Sequence, residues 1–265
     1  MTTVNILFIG DVVGEPGLKI VEEQLSNLKE KYSSDFVIIN GENSSEGKGI
    51  TAKEAELLFQ YGANVITSGN HVWDNWKSKP LLSENPLVLR PFNYPSGNAG
   101  RGYAISMIRN DIMIGVLNLQ GRTFMQAIDC PFRAADYAIK LISEKTKIIM
   151  VDFHADATAE KQALAHYLDG KVSAIIGTHT HVQTNDARIL NNGSGYITDV
   201  GMTGPFDSVV GMKKEIAIKR FTLQTPHKFE LASDDVKISG VNIKIDVESG
   251  KTLYIENFVF DKDVD

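Results

Sequence analysis

The sequence predicts an α/β fold in which two mixed β-sheets pack face to face between helices, in α-β-β-α layers. Two observations carry that prediction. Short apolar runs bounded by turn residues, at 5–9, 36–39, 65–67, 148–151 and 172–176, are separated by helical patterns. Such spacing marks buried parallel strands joined by crossover helices. Between residues 87 and 119 the alternation breaks, and runs at 103–107 and 112–117 flank a polar Arg109-Asn110-Asp111 turn. Adjacent runs of that kind belong to a second, partly antiparallel sheet.

Each element has a local reason. The first strand, 5–9, ends at Gly10-Asp11, and Gly14-Glu15-Pro16-Gly17 leads into a stretch with Leu18, Val21, Leu25 and Leu28 on one helical face. Proline suits a helix start because its missing N–H has no partner there in any case. After the strand at 36–39, Thr51-Ala52-Lys53-Glu54 forms a capping box ahead of Ala55, Leu57, Leu58 and Phe59, so a second helix returns the chain to 65–67. The β-α-β-α-β order is complete there. Residues 121–133 are the least regular stretch and read as a loop near the site. Helices are expected at 134–144, 159–168 and 212–223, strands at 147–151, 172–176 and 195–199, and a closing hairpin at 241–246 and 253–258 around Glu248-Ser249-Gly250. No low-complexity linker or repeat interrupts the pattern, so residues 1–265 are expected to form one domain.

Bulk properties narrow the function. A chain of 265 residues can bury roughly three quarters of its unfolded surface. Its 27 Lys+Arg against 33 Asp+Glu give a formal charge of -6, which lacks the basic footprint of a protein that grips long nucleic acid. Small substrates are favoured. The single cysteine, Cys130, allows no internal disulfide and reads as a small buried or loop residue. There is no leader-like N-terminus and no run near the roughly 18 apolar residues of a membrane span. A cytoplasmic protein with no membrane partner is expected, as a homo-oligomer.

Chemistry concentrates where the strands end. Asp11, Glu42, Asn70, His154, His179 and His181 all follow apolar runs, and open α/β sheets bind ligands outside the carboxyl ends of their strands. His179 and His181, one residue apart in Gly177-Thr178-His179-Thr180-His181, suit metal ligation better than packing. A metal pair that hydrolyses a phosphate ester needs anionic oxygen between the cations, neutral imidazoles around them and open positions for water and substrate. These residues supply that inventory.

The ordered blocks Gly10-Asp11, Gly41-Glu42-Asn43, Gly69-Asn70-His71, His154 and Gly177-Thr178-His179-Thr180-His181 resemble those of calcineurin-like metallophosphoesterases. Residues 8–14, 40–43, 68–74 and 177–183 are similar in more detail to the bacterial YmdB-like family of 2′,3′-cyclic-nucleotide 2′-phosphodiesterases. That resemblance covers nearly the whole chain. Two departures from the wider superfamily, Val13 where a histidine is usual and Glu42 where an aspartate is usual, belong to the YmdB-like pattern. The resemblance implies that Asp11, Glu42 and His181 hold one metal and that Glu42, Asn43, Asn70, His154 and His179 hold the other, with Glu42 shared. It implies His71 as proton donor to the leaving oxygen, and attack by metal-activated hydroxide that leaves a 3′-phosphate. The expected cofactor is two divalent or mixed-valence ions, iron or manganese, with zinc as the alternative. The expected partner is a small cyclic nucleotide, with RNA ends as a further substrate.

Blander readings compete with each residue. Asp11 alone reads as a cap or turn residue, and His154 alone as a half-buried packing histidine; five ordered blocks displace both. Gly10, Gly14 and Gly17 lack the GxGxxG spacing of a dinucleotide cradle. His166 and His227 read as ordinary surface or packing residues, and Trp73 and Trp76 as fixing the loop after His71. Arg101, Arg122, Arg133, Phe124, Phe132 and Phe206 also read as packing or solvated residues. The alternatives in function are a broad phosphatase or nuclease, and a regulatory protein that senses a nucleotide or metal without turnover.

Overall fold

A computed structural model describes residues 2–261. The first half runs β1 (Thr3–Ile9), β2 (Asp11–Val12), α1 (Gly14–Lys31), β3 (Phe36–Asn40), α2 (Ala52–Tyr61), β4 (Val65–Thr67), α3 (Ser78–Glu84), β5 (Tyr103–Arg109) and β6 (Ile112–Gln120). The second runs α4 (Pro131–Ser143), β7 (Ile149–His154), α5 (Thr158–Leu168), β8 (Ala174–Thr178), β9 (Arg188–Ile189), β10 (Gly195–Ile197), β11 (Met202–Pro205), α6 (Lys214–Leu223), β12 (Val236–Asp246) and β13 (Thr252–Phe260).

The strands form two mixed sheets. The seven-stranded sheet has the order β2-β11-β12-β1-β3-β4, with β13 beside β12, and the six-stranded sheet has the order β5-β6-β7-β8-β10-β9. In the first, β1, β3 and β4 are parallel while β12 runs antiparallel to β1. In the second, β6, β7, β8 and β10 are parallel and β5 is antiparallel to β6.

Strand periodicity explains the layers. Successive strand side chains face opposite sides, so Val4, Ile6 and Phe8 of β1 enter a core shared with Val116, Met150 and Ile176 of the other sheet. Leu7 and Ile9 face the other way, onto Val21, Leu25 and Leu58 of α1 and α2. In the second sheet Ile149, Val151 and Phe153 pack on Ala138, Ile142 and Leu164 of α4 and α5. Strands buried on both faces read as continuous apolar runs, which is why the runs were visible in the sequence. The layers are α-β-β-α, as expected.

Several boundaries move. The capping box at Thr51 and Glu54 is present, but α4 starts at Pro131, so the irregular loop is shorter than 121–133 and its last residues are helical. The strand expected at 172–176 runs from Ala174 to Thr178, which brings Thr178 into β8. The strand expected at 195–199 ends at Ile197, leaving Asp199 beyond it. The helix expected at 212–223 begins at Lys214. The unforeseen elements are the short ones, α3, β2, β9 and β11. Among the described residues no helix is long and apolar enough to cross a membrane.

Candidate metal centre

The carboxyl ends of both sheets meet at one cluster. Asp11 opens β2, Glu42 and Asn43 follow β3, Asn70 and His71 follow β4, His154 ends β7, and His179 and His181 follow β8. Asp152 ties the sheets together beneath it: its Oδ2 accepts from Asn40 Nδ2 at 2.9 Å and from Thr67 Oγ1, and its Oδ1 accepts from Thr178 Oγ1 at 2.7 Å. Asn40 and Thr67 lie in the seven-stranded sheet, and Asp152 and Thr178 in the six-stranded one. Burial pushes the Asp152 carboxyl up to about 6, against the pull of His154 and these donors.

That carboxylate also fixes the His154 ring. The Thr178 hydroxyl spends its one hydrogen on Asp152, so its contact of 2.9 Å with His154 Nδ1 must be an N–H donated by the imidazole. His154 therefore presents Nε2 to the cluster. Three heteroatoms converge on it: Glu42 Oε1 at 2.9 Å, Asn70 Oδ1 at 2.9 Å and His179 Nδ1 at 3.0 Å. A single ring N–H cannot point along three directions, whereas a cation at that point would be met by lone pairs from every side.

Without a cation the acidic neighbours favour a second proton on His154, which metal binding would have to displace. Burial alone would lower the basicity of His154, but Glu42 and then Asp11 raise it to about 9. Burial would raise Glu42, yet the charge and hydrogen bond of His154 carry it down to about 2. Burial and the neighbouring His154 push His179 down to about 3, and burial also lowers His181. Both shifts favour the neutral imidazole that metal ligation requires. Asp11 is fully buried, its carboxyl is raised by desolvation, and its Oδ1 has no hydrogen-bond partner; its Oδ2 accepts the His179 N–H at 3.1 Å.

Asn43 and His181 lie at the other end. Asn43 Nδ2 is 3.3 Å from Glu42 Oε1 and 3.2 Å from His181 Nε2, while His181 Nδ1 donates to the Val210 carbonyl at 3.1 Å. His71 sits at the edge: its backbone N–H donates to Glu42 Oε2 at 3.1 Å, and its Nδ1 is 2.7 Å from Asp74 Oδ2. All eight residues singled out in the sequence thus lie in one neighbourhood, and Glu42, His154 and His179 bring donor atoms within 4.8 Å of one another.

A cleft of about 1250 Å³ is lined in part by Ser44, Lys48, Asp74, Trp76 and Lys77; none of the eight residues lines it, and it approaches them only through Ser44, the neighbour of Asn43, and Asp74, which holds His71. Trp73 does fix its loop, packing edge-on against Tyr94 with ring centroids 5.9 Å apart. Trp76 does not: it is 78% exposed at the cleft, with Lys77 Nζ 5.8 Å from its ring centroid. Phe124 is likewise solvent-facing.

The cluster tolerates no added bulk. A methyl on Gly69 would collide with the His154 ring and the Glu42 carboxylate. Gly69→Ala is therefore expected to keep the fold and lower metal content well below that of the parent protein, measured by elemental analysis after reloading. Unchanged metal content would show that these side chains can move apart without cost.

Two mixed sheets between helices, with Asp, Glu, Asn and His gathered where both sheets end, define a metallophosphoesterase fold. The family model for YmdB-like proteins matches residues 7–258, and the chain belongs to that family. It is 48% identical over 260 residues to a 2′,3′-cyclic-nucleotide 2′-phosphodiesterase of Bacillus subtilis (strain 168), covering 98% of each chain. Among solved structures it resembles a novel phosphatase of Mycoplasma pneumoniae, at TM-score 0.93 and 36% identity over 98% of this chain and 94% of that one. It also resembles a hypothetical protein of Thermus thermophilus, at TM-score 0.90 and 40% identity over 97% of this chain and 99% of that one.

Proposed function

We propose that this protein is a metal-dependent phosphoric diester hydrolase that opens 2′,3′-cyclic nucleotides to 3′-phosphates. The observation that carries the reading is the convergence of Glu42, Asn70 and His179 on His154 Nε2, in a chain nearly half identical to a phosphodiesterase of that specificity. The residues fit a pair of divalent ions. Asp11, Glu42 and His181 would hold one, and Glu42, Asn43, Asn70, His154 and His179 the other. Mixed oxygen and nitrogen donors suit iron or manganese, with zinc as the alternative. When bound, such ions supply Lewis acidity, which acidifies water and offsets charge on the phosphate.

The chain's own side chains do the rest. Asp152, through Thr178, keeps the proton of His154 on Nδ1 and leaves Nε2 for ligation, an outer contact of the kind that orients metal-binding imidazoles. Asp74 holds His71 Nδ1, which leaves Nε2 as the nitrogen able to give a proton to the leaving 2′ oxygen. Water adds across the bond from phosphorus to O2′; that oxygen departs as a hydroxyl, and the phosphate stays on the 3′ carbon.

The test is turnover of 2′,3′-cyclic nucleotides by protein stripped of metal and reloaded with Mn²⁺ or Fe²⁺, with the product identified by position. A 3′-phosphate formed only by reloaded protein supports the reading. Binding of the nucleotide with no turnover under any metal would favour a sensing protein instead.

Substrate size separates this reading from a nuclease. With a net charge of -6, cyclic mononucleotide turnover is expected to change little with salt, whereas neutralising several phosphates of a long RNA gives a steep salt dependence. Rates measured between about 50 and 200 mM salt decide it: steeply salt-sensitive cleavage of long RNA, without action on mononucleotides, would replace the proposal.

A further inference from the structure

Lys161 and Asp199 form an ion pair that the chemistry above does not use. The Lys161 side chain is 1% exposed and that of Asp199 is fully buried, with Nζ 2.6 Å from Oδ2. We propose that this pair is a positioning device for the turn at 178–181, holding His179 in the backbone conformation that aims its ring at His154; the inference rests on the metal reading given above.

The contacts show how. Lys161 Nζ, reaching up from α5, also donates to the Thr178 carbonyl at 2.8 Å. Asp199 Oδ2 accepts the Thr180 N–H at 3.0 Å, and its Oδ1 accepts the Gly201 N–H at 2.9 Å. The Thr178 carbonyl belongs to the peptide unit before His179, and the Thr180 N–H to the unit after it. The pair therefore grips both peptide planes whose rotation defines φ and ψ of His179. Asp11 takes the remaining edge of the first plane by accepting the His179 N–H.

The turn needs such a grip. His179 has φ +101° and His181 φ +65°, in the left-handed region that costs a residue with a side chain about 1–3 kcal/mol. Released, His179 would relax toward negative φ and carry its Nδ1 away from His154. A buried ion pair is a poor source of stability in itself, since well-packed apolar residues often do as well or better. Two apolar side chains could fill this space, but they could not hold one carbonyl and one N–H on either side of a histidine.

The test titrates Mn²⁺ alone into the stripped full-length protein and follows hydrogen exchange of the Thr180 amide. The double variant Lys161→Met/Asp199→Asn removes both charges without leaving one unpaired. It is expected to bind Mn²⁺ roughly 10–100-fold more weakly, the usual effect of losing an outer contact to a metal ligand, and to exchange Thr180 faster. Lys161→Arg, which keeps the cation, should recover part of both. Asp35→Asn is the control for general destabilisation, because Asp35 accepts the Asn5 N–H and pairs with Arg109, and neither partner touches Lys161, Asp199 or the turn; it should lower Tm and leave Mn²⁺ affinity unchanged. Parental Mn²⁺ affinity and Thr180 exchange in the double variant overturn the positioning role. If the double variant does not fold, Asp199→Asn alone is judged by the same two readouts. Parent protein that takes up none of Mn²⁺, Fe²⁺ and Zn²⁺ overturns the metal reading itself, and the proposal with it.

Discussion

Glu42→Gln is expected to leave a folded protein that holds little metal at either position and has almost no turnover. Glu42 is fully buried and lies between the two ends of the cluster, with Oε1 2.9 Å from His154 Nε2 and 3.3 Å from Asn43 Nδ2, and with Oε2 accepting the His71 N–H at 3.1 Å. Two dications would bring four positive charges, of which the carboxylates of Asp11 and Glu42 would offset two. An amide removes one of those two and turns an acceptor into a donor directed at lone pairs. The loss should exceed the roughly 10–100-fold typical of an outer contact to a metal ligand. The fold should survive, because Glu42 follows β3 and the backbone of its loop is held by other groups, including Asn40 Oδ1 on the Glu42 N–H. Elemental analysis, turnover and thermal unfolding check the three parts. A variant with two metals per chain and a near-parental rate would overturn the proposal that two ions share Glu42.

The same variant shows what the sequence could and could not reveal. Glu42, Asn70, His154 and His179 were legible because each stands where an apolar run stops, so its strand could be read and its end located. The layers were legible for a related reason, since strands such as β1 are apolar on both faces. Asp152, Thr67 and Asn40 were not assigned a role. They sit inside or at the very end of apolar runs, and only the pairing of the sheets shows that one carboxylate gathers donors from strands 85 and 112 residues away in sequence. The parity of the strands held a signal: a polar side chain pointing into a buried face demands a partner. Lys161 was hidden in a helical pattern as an ordinary charge, and Asp199 was read as part of a strand. Their meeting depends on how α5 packs beside β8 and on where the chain goes after β10, which no local spacing encodes. Trp76 was misread because proximity to His71 in sequence gave no information on which side of the turn its ring would fall.

His71→Ala is expected to keep both metals and slow a cyclic nucleotide by roughly 10²–10⁴-fold, the range for losing a positioned general acid or base. The distinction from its neighbours is geometric. His154 and His179 point ring nitrogens at each other across 3.0 Å, whereas His71 turns Nδ1 to Asp74 at the cleft and meets Glu42 only through its backbone N–H. Truncation at Cβ leaves that N–H in place, so the carboxylate keeps its contact and the metal shells keep their side chains. His179→Ala, by contrast, should lose metal as well as rate. The proton-donor role has a sharper signature in the leaving group. A 2′ alkoxide is strongly basic and must be protonated as it departs, while a nitrophenolate is a stable anion and needs little help. His71→Ala should therefore harm hydrolysis of a nitrophenyl phosphodiester much less than that of the nucleotide, in protein of equal metal content. Equal losses on the two substrates would make His71 a group that orients phosphate, and loss of metal in His71→Ala would make it a ligand.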